Sequence, residues 1–283
     1  MIDTQTKEEV LIEALPYIQK YEGKTFVIKY GGAAMAETDL KQTFAKDVTL
    51  LRKIGVNIVI VHGGGKEITE LSAALGLTTA WVEGQRFTDA DHLSVVTMVL
   101  AGKVNTEIVR SINLNGGNAV GLSGVDNELL VTQRHRPNGK DIGFVGHVTR
   151  VNTEFLTLLL ERGMIPVIAP IGSDGATEIH NINADLAAGA VASALMAEKL
   201  VYLSDIEGIQ VADKLVSTLT ESTSRQYIKE GSISGGMIPK VRSAFATLNA
   251  GVKKVHIIDG RVRHSLLLEI FTDEGVGTQM VKE

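Results

Sequence analysis

An α/β fold, a three-layer αβα sandwich on a mainly parallel central sheet, is what this sequence predicts, and three observations carry it. Short β-branched runs that are apolar on both faces recur along the chain, as in sheets covered on both sides. Segments with helical spacing of apolar residues separate them, the alternation of a sheet wrapped by helices. Glycine, at 29 of 283 residues, exceeds its usual ~7%, and the excess falls where the runs end. With 44% hydrophobic and 22% charged residues and a mean hydropathy of +0.13, the composition is that of a chain with a large core, neither disordered nor membrane-embedded. At roughly 100 to 200 residues per domain, one large domain or two lobes are expected, with the boundary near residue 190.

Taken in order, residues 1–10 are polar and mixed in charge, without a secretory pattern. A helix over about 6–21 follows, amphipathic through Val10, Leu11, Ala14, Leu15 and Ile18. Residues 25–30, 56–62, 165–169, 199–204 and 253–259 read as strands. Helices are expected over 38–54, opened by a Thr cap, then 66–75, 89–114 (one long helix or two), 152–161, 184–197 and 239–249. Residues 117–151 differ, with Gly, Asn and short alternating pieces at 128–133 and 144–150, and read as a hairpin excursion on one edge.

Several function classes drop out. Lys plus Arg total 28 against 33 Asp plus Glu, a net charge of -5, which argues against nucleic acid as a partner and requires any bound anion to be held locally. The absence of Cys removes thiolate nucleophiles, disulfides and Cys-based zinc sites, and suits a reducing cytoplasm. The charge-free stretch 186–197 is well short of the ~18 residues of a membrane span. Seven His residues show no metal-binding spacing, so no protein metal site is expected and His62 reads as structural.

The glycine clusters are Lys29-Tyr30-Gly31-Gly32, His62-Gly63-Gly64-Gly65 and Gly235-Gly236-Met237-Ile238-Pro239-Lys240. At the carboxyl ends of parallel strands and before helices, glycine lets backbone N–H groups approach an anion. Any one pair can be a tight turn; three together suggest a phosphate-rich ligand. Neither a P-loop nor a dinucleotide fingerprint occurs, since Gly65-Lys66 is followed by Glu67 rather than a hydroxyl residue. Lys29 interrupts an apolar run, and Lys240 stands in a first helical turn where the macrodipole disfavours a cation, so both call for a compensating negative charge. Asn181-Ile182-Asn183-Ala184-Asp185 precedes an Ala-rich helix; Asn183 or Asp185 can cap it, but capping does not need all three polar residues. Arg86, in Gly84-Gln85-Arg86-Phe87-Thr88, stands before a helix where a guanidinium can hold a carboxylate bidentately.

The ordered set V-I-K-Y-G-G, I-V-H-G-G-G, G-Q-R-F-T, N-L-N-G-G-N-A-V-G-L, I-N-A-D and G-G-M-I-P-K, spread from residue 27 to 240, resembles the acetylglutamate kinases of the amino-acid kinase family. The resemblance implies ATP-dependent phosphorylation of the γ-carboxylate of N-acetyl-L-glutamate, the second step of arginine biosynthesis, with ATP and Mg²⁺ required. It implies an N-terminal lobe, 1–190, for the acceptor and subunit contacts, and a C-terminal lobe, 191–283, for ATP and an arginine site. Carried over by position, Lys29 and Lys240 stabilise the transferring phosphoryl group and Asp185 organises them. Gly64, Gly65, Arg86 and Asn181 form the acceptor site; Gly31, Gly32, Ser204, Asp205, Gly236 and Lys240 hold the nucleotide. Arginine-inhibited members share an N-terminal helix and a C-terminal His-x4-Glu-x5-Gly, here His264, Glu269 and Gly275; with Tyr17 and Lys199 these are the expected effector residues. The same members imply a homohexamer built as a trimer of dimers, and some relatives bind a PII-type signalling protein. Competing expectations are a sister kinase on the same scaffold, such as an acetylaminoadipate kinase, since one methylene is worth only ~1 to 3 kcal/mol, or a non-catalytic amino-acid sensor.

Overall fold

A computed structural model describes residues 3–35, 37–82, 84–272 and 275–283. Its centre is an eight-stranded sheet with spatial order Thr218–Leu219, Thr278–Met280, Lys254–Asp259, Lys199–Ser204, Thr25–Tyr30, Asn57–His62, Ile165–Ala169 and Ala119–Ser123. All neighbours pair in parallel except Lys254–Asp259 with Thr278–Met280. Side chains of a strand alternate between faces, and the two core clusters follow that alternation. Phe26, Ile28, Ile58 and Ile60 belong to one, Val27, Val59 and Val61 to the other. This is why the strands read as apolar on both faces. Lys29 shares the face of Val27, the side covered by the Ala-rich helix Ala184–Ala194, whose Ala187, Ala188 and Val191 are fully buried.

That helix is kept small so that another can approach. A Cβ on Gly189 would stand 2.7 Å from Thr247 Oγ1 of the helix Met237–Asn249, and the close crossing brings Asp185 and Lys240 together from opposite sides. The helix ends at Ala194, earlier than the expected 197, because Met196 turns left-handed at φ 49°. The lobe boundary expected near residue 190 falls inside it, and the main sheet runs through both proposed lobes.

Three local expectations are corrected. The helix Thr38–Lys53 is not capped by Thr38, its first helical residue; Glu37 is the N-cap and makes no side-chain capping bond. Residues 117–151 are not wholly an edge excursion: Ala119–Ser123 enters the main sheet beside Ile165–Ala169, while Leu130–Arg134 and Val145–Val151 form the antiparallel hairpin. That hairpin closes a small barrel with Ile171–Ser173 and Ile179–Ile182. Residues 89–114 resolve as Ala90–Thr97, a π-helical stretch Met98–Val104, and Asn105–Leu114. The N-terminal helix, Thr4–Tyr21, packs Tyr17 edge-on to Phe271 and buries Tyr21, leaving Val10, Leu11, Ile12 and Leu15 exposed. No helix among the described residues is long and apolar enough to cross a membrane.

Candidate active site

Asp185 is the hub. Lys29 Nζ lies 3.0 Å from Oδ1 and Lys240 Nζ 2.6 Å from Oδ2, with all three side chains 15–20% exposed. The capping duty falls to Asn183, whose Oδ1 accepts from the backbone N–H of Asp185 (2.8 Å) and Leu186 (3.2 Å). The Asp185 carboxylate is thereby left for the lysines. Burial pushes its pKa up, but the two ammonium groups outweigh burial and hold it below the usual carboxylate range. Lys240 also stands 5.0 Å over the Tyr202 ring.

A cavity of about 470 Å³ opens beside this triad, within the size range of small-molecule sites. Lys29, Gly32 and Asp185 line it together with Gly64, Gly65, Arg86 and Asn181. Gly32 adopts φ +60° with open space where a Cβ would be, a left-handed turn that glycine makes without strain. Arg86 is nearly buried, not a surface arginine. Its Nη1 donates to Thr79 Oγ1 (2.9 Å), its Nη2 to Thr69 Oγ1 (2.8 Å) and Gly65 O (3.1 Å), and the Trp81 ring lies 4.8 Å away. Burial lowers its pKa, yet a guanidinium remains charged. Asn181 Nδ2 donates to Thr88 Oγ1 (3.2 Å), which in turn donates to Arg86 O (3.1 Å).

The remaining expected residues divide. Gly31 packs against Gly63, and Gly236 caps the helix that carries Lys240. Ser204 Oγ donates to Asp205 Oδ1 (3.3 Å) at the end of its strand. None of these four lines the cavity, which Lys240 joins through Asp185 alone. Sequence reasoning missed Lys41 and Lys103, which line the cavity while both pairing with Glu107 (3.4 and 2.8 Å). Trp81 was missed too; it is the cross-strand partner of Arg86. Only Trp81, five residues from Arg86, could have been found from turn spacing, because the lysines come from separate helices.

The expected effector residues form a second cluster, with one exception. Glu269 Oε1 takes Lys199 Nζ (3.1 Å) and His256 Nδ1 (2.6 Å), both essentially buried. Gly275 turns at φ +61° so tightly that a Cβ would stand 2.8 Å from Glu269 Oε2, and Lys199 Nζ lies 5.1 Å over Tyr21. Tyr17 borders the cluster through Phe271. His264 does not join it: its Nδ1 bonds the buried Asp47 (2.6 Å) on the helix Thr38–Lys53. His264 is the left-handed residue preceding the helix Ser265–Phe271. Burial holds His256 below the usual imidazole range; Glu269 is held low by its partners against burial.

Residues 24–259 match the model of the Amino acid kinase family. The chain belongs to that family. It is 57% identical over 274 residues to the acetylglutamate kinase of Chlorobaculum tepidum, covering 97% of this chain and 96% of the relative. Among solved structures, an N-acetylglutamate synthase from Neisseria gonorrhoeae complexed with coenzyme A and N-acetyl-glutamate superposes with TM-score 0.88 at 30% identity, over 97% of this chain and 63% of the synthase. The same synthase complexed with coenzyme A and L-arginine gives 0.85 at 30%, over 97% and 65%. This amino acid kinase is an enzyme of the acetylglutamate kinase type, a transferase of arginine biosynthesis.

Proposed function

We propose that this kinase transfers the γ-phosphoryl group of ATP to the γ-carboxylate of N-acetyl-L-glutamate, giving N-acetyl-L-glutamyl 5-phosphate and ADP. The observation that carries the proposal is the Lys29–Asp185–Lys240 triad beside a cavity that Lys29, Asp185 and Arg86 line together. A carboxylate is ionised at neutral pH and needs no general base to become a nucleophile. The obstacle is repulsion between two anions through a loose transition state with charge on the equatorial oxygens. Lys29 and Lys240 neutralise that charge, Asp185 keeps the two ammonium groups at a fixed separation, and the Gly32 and Gly64 N–H groups add dipoles that need no reorganisation. Arg86, with its hydrogen-bonded edge on Thr69, Thr79 and Gly65, grips the α-carboxylate and Asn181 supports it.

The donors around the cavity are mainly cationic and both Asp185 oxygens are already held by ammonium groups, which suits a polyphosphate better than a bare metal. Mg²⁺ carried by the nucleotide would neutralise phosphate charge. The segments at Ser204, Asp205 and Gly236, outside the lining of that cavity, take the nucleotide, so that residues 1–190 act as the acceptor lobe and 191–283 as the ATP lobe.

We further propose inhibition by L-arginine at the cluster of Lys199, Glu269, Gly275 and Tyr17. The buried Glu269 carboxylate suits a guanidinium or ammonium group, and the synthase relative binds L-arginine. The exposed Val10, Leu11, Ile12 and Leu15 of the N-terminal helix support a subunit contact and a homohexamer. Hydroxylamine trapping with ATP and Mg²⁺ tests the reaction: acyl-hydroxamate from N-acetyl-L-glutamate, and not from free glutamate or N-acetyl-L-aminoadipate, is the expected result. Product from the longer homologue alone would move the pathway; activity unchanged at millimolar arginine would remove the effector site.

A further inference from the structure

We infer that His62 is a positioning residue, which with Asn105 fixes the Gly63–Gly64 peptide so that the Gly64 N–H points into the acceptor cavity. His62 ends the strand Asn57–His62 and is fully buried. Its Nδ1 lies 2.8 Å from Gly63 O, and its Nε2 3.2 Å from Asn105 Nδ2. A carbonyl oxygen only accepts, so Nδ1 must carry a proton. The Asn105 amide is oriented by a second bond, Nδ2 to Val167 O at 2.8 Å; the reverse orientation would set its oxygen against that carbonyl. Asn105 therefore donates to Nε2, which must be bare. The two contacts select one neutral tautomer, and burial reinforces it by lowering the imidazole pKa to about 4.

The consequence reaches the cavity through peptide geometry. In a trans peptide the C=O and the following N–H point in opposite directions. With Gly63 O drawn toward the buried imidazole, the Gly64 N–H is turned the other way, toward the space that Gly63, Gly64 and Gly65 line. Among the described residues no protein acceptor takes that N–H. Gly64 also precedes the helix Gly65–Ala74, whose first N–H groups face the same way. The π-helical stretch Met98–Val104 holds the other side: its Leu100 packs so closely that a Cβ on Gly64 would stand 2.6 Å from Cδ2. Asn105 is the next residue, so one helix supplies both the wall behind the glycine turn and the donor that sets the imidazole.

The inference rests on the reading of Gly64 as an acceptor-site donor, and two measurements on the full-length protein separate the two. Histidine-labelled nitrogen–proton correlation spectra should show His62 protonated at Nδ1 and bare at Nε2 from pH 6 to 8, whatever the substrate; an Nε2–H tautomer overturns the inference. In the hydroxamate assay, His62→Leu should lower kcat on the order of 10²-fold, the scale of one lost oxyanion donor, with KM for ATP within about twofold. His62→Asn, which keeps an N–H near the Nδ1 position, should recover at least about tenfold of that loss. Equal losses in the two variants, or an unchanged kcat in His62→Leu, overturn it. If His62→Leu does not fold, the tautomer decides. A wild-type enzyme with the expected tautomer but no hydroxamate would sink the acceptor reading and not the geometry.

Discussion

Replacing Asp185 by Asn removes one charge at nearly constant shape and leaves two ammonium groups facing an amide. At an effective dielectric of ~20, contacts of 3.0 and 2.6 Å correspond to gross attractions of about 5.5 and about 6.4 kcal/mol. Burial opposes this and is the largest single influence on the Asp185 pKa, though the two lysines together outweigh it. Removing one partner of a buried, hydrogen-bonded pair costs about 3–5 kcal/mol. Because the lysine side chains retain 15% exposure, a released ammonium can still reach water, so about 3 kcal/mol is expected. With ~2.1 cal/mol/K of unfolding entropy per residue over 283 residues, that lowers Tm by about 5 °C. The pKa of Asp185 is depressed in the folded state, so its contribution is complete above the ordinary carboxylate value and lost as pH falls through the folded value. The Tm gap between wild type and Asp185→Asn should hold from pH 8 to 5 and close only in more acid solution. Turnover should fall at least ~10²-fold because both lysines lose their anchor. Scanning calorimetry across pH, with the hydroxamate assay at neutral pH, checks both parts. A gap that closes between pH 7 and 5, or a variant as stable and active as wild type, would refute the reasoning.

Arg86→Lys should raise acceptor KM ~10-fold or more with little change in KM for ATP, since a lysine cannot reproduce the bonds to Thr69, Thr79 and Gly65 while gripping a carboxylate; steady-state kinetics read this directly. Gly64→Ala should cost about 1–3 kcal/mol by pushing its methyl into Leu100, measurable by urea unfolding, and the double variant with Leu100→Ala should recover part of it. Glu269→Gln should weaken arginine inhibition at least ~10-fold while leaving uninhibited turnover within about twofold, because the cluster lies outside the cavity. If the proposed hexamer forms, light scattering should show it for the full chain and a dimer once residues 1–20 are removed; an unchanged mass would assign the exposed face of that helix another role.

Much of the site was legible because its chemistry is written as exceptions to local rules. A lysine inside a β-branched run, another in a helix's first turn and an Asn-Asn-Asp run before a helix each violate an ordinary preference. Their convergence on one carboxylate is the reason. Lys41 and Lys103 break no such rule, because charged residues on a helix surface are ordinary, and Asn105, though buried, follows a helical pattern in which an amide is equally ordinary, so nothing local marked them. The pairing of His264 with Asp47 was not legible for the same kind of reason: the His-x4-Glu-x5-Gly resemblance placed it near Glu269 along the chain and carried no sign of a partner on the helix Thr38–Lys53.

The sequence by itself determined the alternation of elements and therefore the doubly covered parallel sheet, since periodicity is a property of consecutive residues. It also marked the glycine turns at the ends of the strands Thr25–Tyr30 and Asn57–His62. Only the tertiary structure decided that Ala119–Ser123 belongs to the main sheet, that the segment after Thr97 winds as a π-helix, and that Asn183 caps the helix and releases Asp185. Those outcomes depend on which partners compete for each backbone and side-chain group. That competition is settled by packing between residues far apart in the chain, such as Gly189 against Thr247 or Gly64 against Leu100, where a single Cβ more would crowd the facing side chain.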